Sequence, residues 1–161
     1  MFQQTEYSQD LEHNYSLLRK QLSALVEDET NLIANLSNAA ALLNQFMPDI
    51  NWVGFYLIEE AKNELVLGPF QGLPACVRIP LGKGVCGTSA ARQETLRIAN
   101  VHEFPGHIAC DAASLSEIVI PVMKDGRLVG VLDIDSPVEN RFSAEEQKEL
   151  EAFVETLSLA L

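Results

Sequence analysis

Three cysteines, a cluster of carboxylates on apolar strands and two aromatic residues four apart are the parts of this 161-residue chain that could do chemistry. Cys76, Cys86 and Cys110 are separated by ten and then twenty-four positions, so no CxxC pair is present. That spacing supports neither a thioredoxin-like motif nor a zinc ribbon. Cys110 lies in the glycine-containing stretch FPGHIACDAAS, with His107 three residues earlier and Asp111 beside it. Irregular backbone can expose a thiol, and an imidazolium at His107 would favour the thiolate. His107 and Cys110 could also chelate zinc, but the rest of a tetrahedral set is not evident, and no metal is expected. Cys76 follows Leu73-Pro74-Ala75 and Cys86 falls between Gly84 and Gly87. Each cysteine has the plain alternative of being a small buried apolar residue.

Asp133 and Asp135 sit one residue apart in VLDID, which reads as a strand. Alternation places both on one face, about 6–7 Å apart. Like charges on an apolar strand are costly unless a cation or hydrogen-bond donors satisfy them. The plain alternative is that these acids are solvated surface. Whether Glu117 joins them depends on the turn at Lys124-Asp125-Gly126. A three-residue loop pairs Met123 with Arg127 and brings Glu117 opposite Asp133, whereas a two-residue Asp-Gly turn sends it to the other face. The three-residue loop is the expectation here. Trp52 and Tyr56 share a face of their own strand with Gly54 between them, which predicts a slot walled by two rings. Such a slot suits a small apolar group or a cation, though an ordinary aromatic core has the same pattern. LGKGVCG carries glycines but lacks Lys-Ser or Lys-Thr at the required place, which rejects a phosphate-binding loop.

The elements that must hold these residues follow from periodicity. Leu11, Tyr15, Leu18, Leu22 and Leu25 form one helical stripe. Thr30 is the expected cap of a second helix with the stripe Leu32, Leu36, Ala39, Ala40 and Leu43, ending by Pro48. From Asn51 the period becomes two, with strands over 51–59, 64–70 and 76–80, a short helix over 85–92 and a brief strand over 96–99. Residues 101–116 read as an irregular connection, expected to be mobile and to cover part of a pocket. Strands over 117–123 and 127–135 form a hairpin. A last helix opens at Ser143 with Glu146 three residues on, the pattern of a capping box. The result is one α+β domain over 1–161: a helical segment to residue 48, a sheet with its loops over 49–136, and a terminal helix over 143–161. The first and last helices are expected to pack together, and their stripes could instead serve a homodimer.

Composition narrows the function classes. Eleven Lys and Arg against 23 Asp and Glu give a formal charge of −12, which disfavours nucleic acid and anionic membrane surfaces. No apolar run is long enough to span a bilayer, the first residues do not read as a signal peptide, and three cysteines make no disulfide framework. Cytoplasm is the expected compartment.

The segments NWVGFYL, LVLGPFQG, IPLGKGVCGTSA, FPGHIACDAASLSEIVIPV and GVLDIDS together resemble the free methionine-(R)-sulfoxide reductases, single-domain enzymes of the GAF fold. The resemblance covers almost the whole chain, and generic GAF sensors lack the three cysteines in these settings. It implies a central antiparallel sheet of about six strands flanked by N- and C-terminal helices. By the same resemblance Cys110 is the nucleophile, Cys76 the resolving thiol and Cys86 an additional redox thiol. Trp52 and Tyr56 would enclose the methylsulfinyl end, while Glu117, Asp133 and Asp135 would bind the amino group and supply a proton to the sulfoxide oxygen. It also implies a sulfenic acid, an intramolecular disulfide, thioredoxin as reductant and no cofactor. The competing expectation is a GAF domain that senses a small molecule or redox state without turnover.

Overall fold

The computed structural model describes residues 7–108 and 112–161. Helices α1 (Leu11–Val26) and α2 (Leu32–Phe46) precede strands β1 (Trp52–Glu59), β2 (Glu64–Gly72) and β3 (Arg78–Pro80). Helix α3 (Gly84–Arg92) and strand β4 (Leu96–Ile98) lead to β5 (Ser116–Lys124), β6 (Arg127–Ser136) and helix α4 (Ala144–Ser158). The strands form a six-stranded sheet in the order β3-β2-β1-β6-β5-β4, with the paired neighbours antiparallel. Among the described residues, no helix is long and apolar enough to cross a membrane.

Strand alternation divides the interior in two. Val53, Phe55, Ile118, Ile120, Leu132 and Ile134 face α1, α2 and α4 and form the larger core with Leu18, Leu22, Leu36 and Phe153. Trp52, Tyr56, Val119 and Val131 point the other way, where, among the described residues, α3 and the long connections cover the sheet, and build a smaller cluster with Val85 and Cys86. The candidate residues Trp52, Tyr56, Cys86, Glu117 and Asp133 therefore gather on the thinly covered face. As expected, α1 and α4 pack on each other. Tyr15 donates to Glu146 Oε1 at 2.8 Å, and Arg141 Nη1 donates to Glu146 Oε2 at 2.7 Å. Half of the expected capping box forms, because the Ser143 hydroxyl accepts from the Glu146 amide at 3.0 Å. The Glu146 carboxylate is engaged with Tyr15 and Arg141.

Two local expectations are corrected. The cap of α2 is Asn31, whose side chain accepts from the Ala34 amide, and not Thr30. Asparagine and threonine both cap, and the chain's entry angle decides which oxygen reaches the open amides. The β5–β6 turn is the two-residue Asp125-Gly126, with Lys124 opposite Arg127. Both central residues have positive φ, 51° and 76°, the geometry of a type I′ turn. By itself this register would send Glu117 to the helix-covered face. A bulge restores it: Val122 pairs with Gly130 but Met123 with Leu128, so Val129 is the extra residue. Glu117 therefore reaches the expected face by another route. Its direct partner is Asp135, and Asp133 pairs with Val119.

Candidate functional site

The site is built around one row of the sheet. Trp52 of β1 stands beside Asp135 of β6, and Asp135 beside Glu117 of β5. Gly54 pairs with Asp133 in the neighbouring row, and Tyr56 lies two residues further along β1. The hairpin register joins Glu117 to the two aspartates in the sequence reading, but nothing there joins these acids to Trp52 and Tyr56, and strand order brings them into one cavity. Cys86 enters from the first turn of α3, with its sulfur 3.8 Å from Glu117 Oε1.

The aromatic residues do more than wall the cavity. Trp52 Nε1 donates to the Leu73 carbonyl at 3.1 Å, and the Tyr56 hydroxyl donates to the Cys76 carbonyl at 2.9 Å. These bonds hold the β2–β3 connection, which carries Cys76, over the site. Burial, and then the charge of Asp133, raises the Tyr56 phenol well above its ordinary range, so it remains a donor. The expected open slot at Gly54 is absent. Phe70 crosses there and stacks on Trp52 at 5.2 Å, while a Cβ on Gly54 would meet the Phe70 Cβ at 2.3 Å. Gly54 is thus required for the close approach of β1 and β2, and the cavity opens beside the rings. Trp52 and Tyr56 also stack, 5.9 Å apart. Phe70 went unnoticed in the sequence because only the β1–β2 register shows what it covers.

Glu117 and Asp133 are each 6% exposed and share the cavity with Cys86. Burial, followed by the Asp133 and Asp135 charges, pushes the Glu117 carboxyl well above its ordinary range. Burial also raises Asp133, against hydrogen bonds from Glu117 and Cys86 that partly offset it. The Cys86 thiol is pushed up by burial and then by Asp133, Glu117 and Asp135. A helix N-terminus favours a thiolate, but here burial and three acids outweigh it. Glu117 is consequently an acid able to give a proton near neutral pH. His107 Nε2 lies 4.0 Å from Glu117 Oε2. Burial and the neighbouring His102 lower its imidazole. It is therefore a neutral base here, not the imidazolium that sequence reasoning placed beside a thiolate. Glu117 has no other basic partner within salt-bridge distance among the described residues.

The connection between β4 and β5 closes part of the cavity, as expected. His107, Ile108 and Ser114 line it, and Asn51 Nδ2 donates to the Ser114 hydroxyl at 3.1 Å. Ile108 rests on Gly84, whose φ of +61° and lack of a side chain admit it. Cys110, the expected nucleophile, lies outside the described residues. Cys76 is disulfide-bonded, and Cys86 is a free buried thiol.

A family model described as GAF domain matches residues 21–161. The chain is 60% identical over 161 residues to Protein YtsP of Bacillus subtilis, covering 100% of this chain and 99% of that one. It is 52% identical over 147 residues to the free methionine-R-sulfoxide reductase of Escherichia coli, covering 91% and 88%. The free methionine-R-sulfoxide reductase from Neisseria meningitidis, solved in complex with its substrate, superposes with a TM-score of 0.94 at 41% identity, covering 99% and 95%.

Proposed function

The chain belongs to the GAF-domain family and, within it, to the free methionine-R-sulfoxide reductases, and on that premise we propose how its own residues carry out the reduction. It is an oxidoreductase, and free L-methionine-(R)-sulfoxide is its substrate. The thiolate of Cys110 attacks the sulfoxide sulfur while the protonated Glu117 carboxyl gives its proton to the oxygen. Methionine leaves, and Cys110 becomes a sulfenic acid. The Cys76 thiol condenses with it, releasing water and forming a disulfide. A dithiol reductant of the thioredoxin class then restores both thiols by exchange. Asp133 and Asp135 hold the α-ammonium group, and Trp52 with Tyr56 packs the methylsulfinyl end. A peptide-bound methionine has no such ammonium group, which explains the preference for the free amino acid. The reducing supply places the enzyme in the cytoplasm.

The observation that carries this reading is the row of Trp52, half-buried Asp135 and Glu117, with a raised carboxyl at one end and an aromatic ring at the other. Further support comes from Cys76 being the disulfide-bonded cysteine next to the cavity. Leu73 and Val77, exposed near it, offer the apolar surface a reductant would meet. Cys86 is the additional redox thiol, slower than Cys76 because burial and the acids keep it neutral.

The test supplies each epimer of free methionine sulfoxide with a thioredoxin system and follows NADPH consumption, with Cys110→Ser alongside. Turnover of the R epimer alone, abolished by the substitution, is the expected result. A folded, reduced protein that turns over neither epimer would overturn the reading in favour of a sensing domain.

A further inference from the structure

Cys86, Glu117 and Asp133 each present one donor atom, and these three atoms lie within 4.8 Å of one another. All three residues are buried. Asp133 lines the cavity and is only 6% exposed, and its Oδ1 is buried with no hydrogen-bond partner among the described residues. An orphaned carboxylate oxygen at that depth is costly and calls for a cation. The proposed ammonium site explains the acids, but an ammonium ion has no use for a sulfur donor.

Around tetrahedral zinc, with Zn–S about 2.3 Å and Zn–O about 2.0 Å, a sulfur and an oxygen ligand stand about 3.5 Å apart. The Cys86 sulfur already lies 3.8 Å from Glu117 Oε1. His107 Nε2, 4.0 Å from Glu117 Oε2, is a nitrogen donor that lines the same cavity. One sulfur, two carboxylate oxygens and an imidazole select a thiophilic ion, since magnesium and calcium take oxygen ligands.

We propose that Cys86, Glu117 and Asp133, with His107 beside them, form a binding site for zinc or a similar thiophilic divalent cation, and that its occupation inhibits the enzyme. Binding displaces the protons of the Cys86 thiol and the Glu117 carboxyl to solvent and occupies the carboxyls that the substrate ammonium and the departing oxygen need. The inhibition rests on the reductase reading above, whereas the ion binding does not.

The test uses the full chain with its disulfide closed, so that Cys86 is the free thiol. Cobalt(II) serves as the spectroscopic probe, and zinc binding is measured by calorimetry without any turnover. A sulfur-to-cobalt charge-transfer band is expected in the parent protein and is lost in Cys86→Ser. Zinc affinity falls by about tenfold or more in Cys86→Ser and in Asp133→Asn. Added methionine weakens zinc binding by competition. Absence of the band, or equal zinc affinity in parent and Cys86→Ser, would overturn the ion binding, and indifference to methionine would overturn the proposed inhibition. If Asp133→Asn fails to fold, the one-atom change at Cys86 decides alone. Sulfoxide turnover by metal-free protein is read separately, so its failure sinks the reductase reading and leaves the binding result standing.

Discussion

Replacing Glu117 by glutamine removes one titrating proton from the site and keeps the side chain's shape. Glu117 is 6% exposed, and burial with two neighbouring acids raises its carboxyl far above the ordinary value. Below about pH 4.3 the carboxyl is protonated in both the folded and unfolded chain, so it makes no pH-dependent difference. As pH rises above that value, the unfolded chain releases its proton and the folded protein keeps it. The folded state is then the one that binds more protons, and stability falls with pH. One proton accounts for a loss of up to about 1.4 kcal/mol per pH unit, continuing until pH passes the raised folded value. The glutamine side chain does not titrate, so Glu117→Gln gains on the parent across that window. Asp133 is raised in the same direction and titrates in both proteins, so it cancels to first order. Urea unfolding of the disulfide-closed protein at about pH 5, 6, 7 and 8 measures the difference. An advantage of the variant that grows with pH is expected. A difference independent of pH would show Glu117 ionised inside the cavity and refute the argument that it is the stored acid. The same variant is expected to lose about a hundredfold or more in turnover, the ordinary worth of a positioned general acid.

At Gly54, alanine places a Cβ 2.3 Å from the Phe70 Cβ and 2.8 Å from the Phe70 Cα. Backbone cannot step aside, so Gly54→Ala is expected to cost about 1–3 kcal/mol and lower the melting temperature. It should also alter the emission of Trp52, the chain's one tryptophan, which stacks on Phe70. An unchanged melting curve and spectrum would mean that β1 and β2 separate freely there. At the start of α2, Asn31→Ala is expected to cost about 1 kcal/mol in chemical unfolding, with Thr30→Ala within about 0.5 kcal/mol of the parent. The reverse ranking would return the cap to Thr30.

Much of this architecture was legible in the sequence, because local periodicity carries it. The stripe through Tyr15, Leu18 and Leu22 and the alternation at Asp133 and Asp135 are short-range patterns, and the structure has the helix and strand they specify. The motifs around the three cysteines pointed to the family, since chemistry constrains residue type where packing constrains only size. The acidic composition disfavoured anionic partners such as nucleic acid before any fold was considered. Other features depend on contacts between distant segments. The bulge at Val129 decides which face Glu117 takes, and nothing in the local sequence requires it, since an Asp-Gly turn and a three-residue loop are both available to Lys124-Asp125-Gly126. Phe70 fills the space over Gly54 because the β1–β2 register puts it there. The proton state of Glu117, Cys86 and His107 belongs to the tertiary structure for the same reason. A side chain's charge is set by how much water is removed from it and which charges stand near it, and both are settled only when β1, β5, β6 and α3 meet.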